Sequence, residues 1–148
     1  MHITKATLED LDSLIPLFDL YRQFYGQSSD LIKASAFITE RLQNLDSTLF
    51  IAFDDTNAPI GFVQLYPSFS SVAMKRMWYL NDLFVIQSAR KQGVAKALLN
   101  KVKEYAETTN ALTVKLATAS DNFVAKKLYE SEGYSKVVAF EHYTQRVE

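Results

Sequence analysis

The segment Leu83–Leu99, LFVIQSARKQGVAKALL, changes character twice within seventeen residues. Its apolar start, with WYLN before it, reads as a strand from Trp78 to Val85. From Val94 onward, Val94, Ala95, Leu98, Leu99, Val102, Tyr105 and Ala106 fall on one helical face. Between strand and helix lies a short basic connection with Arg90, Lys91 and Gly93, and Lys96 follows in the first helical turn. A helix start presents unpaired N–H groups and a partial positive charge, so a phosphate or pyrophosphate fits there. Gly93 lets the backbone turn sharply or come close to a ligand. An ordinary surface loop with solvated cations fits the same residues, and both readings stand at this level.

Outward from that segment, the chain divides into alternating elements. HITKAT (residues 2–7) reads as a short strand, and the stretch from Thr7 to Gly26 as a helix. Thr7 and Asp10 form a capping pair, Gly26 is a stop, and Pro16 inside the pattern predicts a kink or break. Asp30 opens a second helix carrying Phe37, Ile38 and Leu42. STLFIAF, IGFVQLYPSF and MKRMWYLNDLFV follow as strands, with DDTNAP as a turn between the first two. After the basic segment and its helix come a strand in ALTVKLATA and a helix in NFVAKKLYESEG closed by Gly133. YSKVVAFEHYTQ reads as up to two further strands. The order predicts an α/β (α+β) chain, one domain over 1–148, with a mixed sheet.

Composition closes off several chemistries. The 148 residues carry a net charge of -1, so nothing draws the whole chain toward nucleic acid or an anionic membrane. There is no cysteine, which removes disulfides, thiolate metal sites and thiol nucleophiles. His2 and His142 are the only histidines, so no metal site or histidine triad is expected. MHITKATLED has no leader pattern and no apolar run nears ~18 residues, which reads as a cytoplasmic protein. GxxxxGK[ST] is missing, and four glycines (Gly26, Gly61, Gly93, Gly133) cannot supply GxGxxG.

The segment is similar to the signature loop of the GNAT family of N-acetyltransferases, Arg/Gln-x-x-Gly-x-Gly/Ala, filled here by Arg90, Gly93 and Ala95. NFVAKKLYESEGY resembles the second block of that family, with Asn122, Ala125, Leu128, Tyr129, Gly133 and Tyr134 in its slots. GFVQLYPSF and WYLNDLFV, between Gly61 and Val85, look like spermidine/spermine, diamine and yeast-type histone/polyamine acetyltransferases. Two departures stand out: Lys91 and Ala95 occupy places where the family often has glycine, and Asn81 stands where polyamine enzymes often carry glutamate.

The resemblance implies a mixed, mostly antiparallel central sheet with helices on both faces, and acetyl-CoA as cosubstrate. Its pyrophosphate would lie on the amides of Lys91, Gln92, Gly93, Val94, Ala95 and Lys96, with Arg90 as a further cofactor-binding cation. Its pantetheine would run beside Leu83, Phe84 and Val85, with Asn122 in contact. A thioester is already activated, so a small primary amine can attack it directly in a ternary complex. That amine must lose a proton, because an amine of pKa ~10.4 is neutral in only about one molecule in a few thousand at pH 7. Asp82 is the acid best placed for this in sequence, although a solvated or capping carboxylate fits it too. Tyr129 matches the family's general-acid tyrosine for the departing thiolate and is a cofactor contact as well, and simple packing is its other reading. Asp19, Asp30, Glu40 and Asp82 would attract a polyamine if they converged. Rival readings are a protein-lysine acetyltransferase and a non-catalytic acyl-CoA-binding module. The family's dimers, with AFEHYTQ as an interface strand, imply a homodimer.

Overall fold

The computed structural model describes residues 1–148 as two compact units, residues 1–117 and 118–148. The first holds β1 (His2–Lys5), a 3-10 turn (Leu8–Asp10), α1 (Leu11–Phe24), α2 (Leu31–Asn44), β2 (Thr48–Phe53), β3 (Pro59–Ser70) and β4 (Lys75–Val85). A second 3-10 turn (Gln87–Ala89), α3 (Val94–Thr108) and β5 (Val114–Leu116) complete it. The five strands lie in sequence order, antiparallel from β1 through β4. β5 pairs with β4 in parallel, over Trp78–Leu80 only. The second unit holds α4 (Phe123–Ser131).

α1 and α2 cover one face of the sheet. Leu14, Leu17 and Phe18 of α1 and Ala34, Ile38 and Leu42 of α2 pack on Leu49, Ile51, Phe62 and Phe84. Leu14, Ile38, Ile51 and Phe62 are fully enclosed, each stabilising the fold by about 1.5–3 kcal/mol. α3 covers the other face through Leu98, Leu99, Val102 and Ala106, with the Tyr105 ring 5.4 Å from Phe50 and 5.3 Å from Trp78.

The helix ends follow the sequence. Thr7 and Asp10 close the expected capping box before α1, and the Asp30 carboxylate accepts from the Lys33 N–H to start α2. α1, α3 and α4 each end in a left-handed residue: Gly26, Asn110 and Gly133. In each, the next amide reaches back five residues, from Gln27 to Arg22, Ala111 to Ala106 and Tyr134 to Tyr129. Pro16 neither breaks nor ends α1, which runs through it. Pro16 is exposed, and so is Asp12, whose carbonyl loses its usual amide partner and can turn to water instead.

The C-terminal expectation fails. No strand forms over residues 134–148, where up to two were expected. Val138, Phe140 and Tyr143 stay exposed there. Their β-propensity reflects fit to a pleated, half-buried surface, and they have no such surface.

Gly61 of β3 marks a tight point. A Cβ there would sit 2.8 Å from the Phe84 carbonyl oxygen, with Val85 and Val94 side chains at 3.4 Å. The obstacle is backbone, so Gly61→Ala must push β4 and the start of α3 away. We expect a loss of about 3 kcal/mol in chemical denaturation. A loss below about 0.5 kcal/mol would mean that β4 gives way freely.

Candidate active site

The site begins at an irregularity in β4. Gln64 faces Asp82, but Leu65 faces Leu80, so Asn81 is an extra residue on β4. Strict alternation would place Trp78, Leu80, Asp82 and Phe84 on one face. The bulge breaks that series: Trp78 lies against Tyr105 of α3, whereas Phe84 joins the α1/α2 core. Asp82, paired with Gln64 as Phe84 is with Phe62, therefore faces α1.

There the carboxylate is buried, 3% exposed. It accepts a short hydrogen bond from Gln64 Nε2, and another from Asn81 Nδ2 at 2.7 Å. The Tyr21 hydroxyl donates to the Asn81 carbonyl at 3.5 Å. Burial, with the Asp82 carboxylate nearby, pushes the Tyr21 phenol far above its ordinary value, so it stays protonated. Tyr66 is pushed up to about 12, first by burial and then by Asp82. No cation pairs with Asp82. Its charge is held by neutral donors alone. Because Nε2 of Gln64 must face the carboxylate, Oε1 is left buried without a partner.

Past Leu80 the β4 edge carries no fifth strand, which leaves residues Asn81–Val85 with unpaired backbone on that side. The chain then enters the basic connection. Lys91 and Gly93 are both left-handed, at φ 61 and 83. Lys91 thus takes the conformation that glycine would take at its place, at a strain of about 1–2 kcal/mol. Gly93 is the N-cap of α3, and Ala97 is the first helical amide to find a backbone acceptor, the Gly93 carbonyl at 3.0 Å. Lys91, Gln92, Gly93 and Lys96 are exposed, Ala95 is half-buried, and Val94 is buried and anchors the helix start. A Cβ on Gly93 would meet nothing within 4 Å, so the space above the turn is open.

Arg90 turns back onto the sheet. Its Nε donates to the Val85 carbonyl at 3.0 Å, and its guanidinium lies 5.2 Å from the Phe24 ring and 5.8 Å from Phe84. It therefore fixes the path from β4 into the turn. Beside it opens a cavity of about 670 Å³, lined by Leu20, Gln23, Phe24, Phe84, Ser88 and Arg90 among others. Leu83 is half-buried, and Phe84 and Val85 are buried.

In the second unit, Asn122 is the N-cap of α4, its Oδ1 accepting from the Ala125 N–H at 3.1 Å. Tyr129 is half-buried, and its ring lies 5.8 Å from Tyr134. Burial and that neighbour push the Tyr134 phenol up to about 12.

The four carboxylates weighed as a polyamine site have separate duties. Asp19 accepts from Ser29 Oγ, Gln23 Nε2 and the Asp30 N–H, which hold its carboxyl below the usual range and tie α1 to α2. Asp30 caps α2, and Glu40 pairs with Arg41. Tyr21, Gln64 and Tyr66 around Asp82 were missed from sequence. Gln64 left a signal, as the polar residue in an apolar strand, IGFVQLY. No group of three or more His, Asp or Glu side chains could hold a metal, and no helix is long and apolar enough to cross a membrane.

Comparison with known proteins bears on this geometry. The Acetyltransferase (GNAT) family matches residues 14–134, across both units. The chain is 45% identical over 147 residues to the uncharacterized N-acetyltransferase YhfO of Bacillus subtilis strain 168, covering 99% of this chain and 98% of that one. It is 35% identical over 134 residues to a probable acetyltransferase of Haemophilus influenzae, covering 90% of each. A crystal structure of a probable acetyltransferase, 44% identical, superposes with a TM-score of 0.96 over 100% of this chain and 99% of that one. With the strand, basic turn and helix in place, the chain belongs to the acetyltransferase (GNAT) family and is an N-acetyltransferase.

Proposed function

We propose that this chain, working as one domain over 1–148, moves the acetyl group of acetyl-CoA to a small primary amine by direct attack in a ternary complex. The observation that carries this reading is the continuous path from the unpaired β4 edge at Asn81–Val85 into the open left-handed turn at the α3 start. Strand backbone at Leu83, Phe84 and Val85 suits a pantetheine amide, and the amides of Lys91 through Lys96 suit a pyrophosphate. Arg90 acts through Val85 as a positioning residue. Asn122 keeps its side-chain nitrogen for the cofactor, since Oδ1 serves the helix cap. Acetyl-CoA supplies the activated thioester, and Tyr129 donates the proton that the departing thiolate needs.

Asp82 supplies charge. A buried carboxylate held only by neutral donors attracts a cation, and the incoming ammonium is one. The Asp82 carboxylate, directly or through a water bound to it, accepts the proton that the ammonium must lose before attack. With Asp19, Asp30 and Glu40 engaged elsewhere, an amine with one ammonium fits better than a polyamine.

The test measures CoA release across a panel of polyamines, lysine analogues, aminoglycosides and histone peptides, for wild type and Asp82→Asn. One class of small amine should stand out. The asparagine keeps the shape, and Gln64 can flip to offer its unpartnered Oε1. We expect kcat/KM to fall at least about tenfold at neutral pH. The loss should shrink as pH rises toward the amine's own pKa. An unchanged pH profile would reduce Asp82 to a brace for the bulge, and no release with any amine would sink the substrate class.

A further inference from the structure

A second cavity, of about 580 Å³, lies elsewhere in the first unit. It opens where β1 ends, β2 and β4 begin and α3 finishes, and Lys5, Ser47, Thr48, Arg76, Trp78 and Tyr105 shape it. Tyr105 lies eleven residues along α3 from Val94, about 16 Å from the basic turn at 1.5 Å per residue. The cavity therefore belongs to the other end of the helix, and the reaction proposed above does not use it.

Its charge is one-sided. No Asp or Glu lines it. The Lys5 ammonium sits 5.1 Å from the Tyr105 ring and the Arg76 guanidinium 4.9 Å from the Trp78 ring. Neither makes an ion pair. At the α3 C-terminus, the carbonyls of Tyr105, Ala106 and Glu107 already have partners. Those of Ala106 and Glu107 take the amides of Ala111 and Asn110, and that of Tyr105 takes the Thr108 and Thr109 hydroxyls.

A third group points the same way. Ser47 Oγ is buried with no hydrogen-bond partner, which is costly unless something fills the need. Nearby, Thr48 Oγ1 and the Tyr105 hydroxyl share a bond at 3.2 Å, and Trp78 Nε1 donates to Thr109 at 2.9 Å, which fixes both rings. Two unpaired cations and an unmatched hydroxyl thus border a space within the small-molecule range of roughly 300–1,000 Å³, with the buried Trp78 beneath it and Leu42 and Leu45 as its apolar wall. We propose that this cavity binds a small organic anion, its carboxylate or phosphate held by Lys5, Arg76 and Ser47 and its apolar body against Leu42, Leu45 and the exposed part of Tyr105. The proposal is independent of the reading of the acetyl-transfer site.

Trp78 is the only tryptophan of the chain and lines this cavity, so its emission is the reporter nearest to a ligand there. The full chain would be titrated with benzoate, phenyl phosphate and, as an uncharged match in shape, benzyl alcohol. One or both anions should give a saturable change at millimolar concentration or below, and benzyl alcohol should give none. Lys5→Gln with Arg76→Gln should weaken binding at least tenfold, with circular dichroism confirming the fold. Ser47→Ala separates a ligand role from a structural one: removing a partnerless buried hydroxyl should leave the melting temperature unchanged or higher, while anion affinity falls. The proposal is overturned by no saturable response to either anion up to about 10 mM, by an equal response to benzyl alcohol, or by affinities that ignore all these substitutions.

Discussion

Tyr129→Phe should lower turnover on the order of 10²-fold while leaving acetyl-CoA affinity close to wild type. The substitution keeps the ring, which lies 5.8 Å from Tyr134, and the backbone carbonyl that takes the Tyr134 amide and closes α4. What is lost is one hydroxyl, and thermal denaturation reads its structural share separately from turnover. A phenol of ordinary pKa near 10 is protonated at pH 7 and can give its proton to a departing thiolate. Loss of an interaction made only in the transition state appears as equal drops in kcat and kcat/KM. Tyr134→Phe is the control, because it removes the neighbouring hydroxyl from the same ring pair and should leave turnover within a few-fold. Near-normal turnover for Tyr129→Phe would make Tyr129 a packing residue. A large affinity loss with turnover intact would make it a cofactor contact only.

The same helix explains why part of the fold was readable. Much of the block NFVAKKLYESEGY is capping: Asn122 starts α4, Gly133 takes the left-handed position that ends it, and Tyr134 packs back on Tyr129. Local rules of this kind act within a few residues, so Thr7, Asp30 and Gly26 were legible as well. Pro16 misled because its effect depends on whether the orphaned carbonyl meets water, which the residue type does not encode. The C-terminal strands misled because β-propensity names no partner, and none forms over 134–148.

The candidate site was legible only along β4 and the turn that follows it. The bulge at Asn81 decides which face Asp82 takes, and a register shift depends on β3 as much as on β4. The neighbours of Asp82 lie 18 residues away at Gln64 and 61 away at Tyr21, beyond any local pattern. The Arg90 side chain lies on Phe24 and the Val85 carbonyl. Phe24 is 66 residues away in sequence, so no local pattern announces that placement.

Gly93→Glu should weaken acetyl-CoA binding by about tenfold to a hundredfold, and Gly93→Ala by much less. Both substitutions place a side chain on a residue at φ 83, and neither Cβ would meet protein within 4 Å. Both should therefore lower stability through about 1–2 kcal/mol of left-handed strain, which the glutamate offsets in part at the helix N-terminus. Only the glutamate adds a negative charge at the N-cap of α3, where the unpaired amides and the helix dipole favour an anion. A unit charge about 5 Å from one phosphate charge is opposed by roughly 1 kcal/mol in water and about 3 kcal/mol at an effective dielectric constant of 20. Calorimetric titration of the two variants isolates that difference. Added salt should narrow it, since an exposed turn is screened within about 3 Å at 1 M. Equal and unchanged dissociation constants would mean that the pyrophosphate is held away from this turn. Equal but large losses would assign the effect to backbone shape rather than charge.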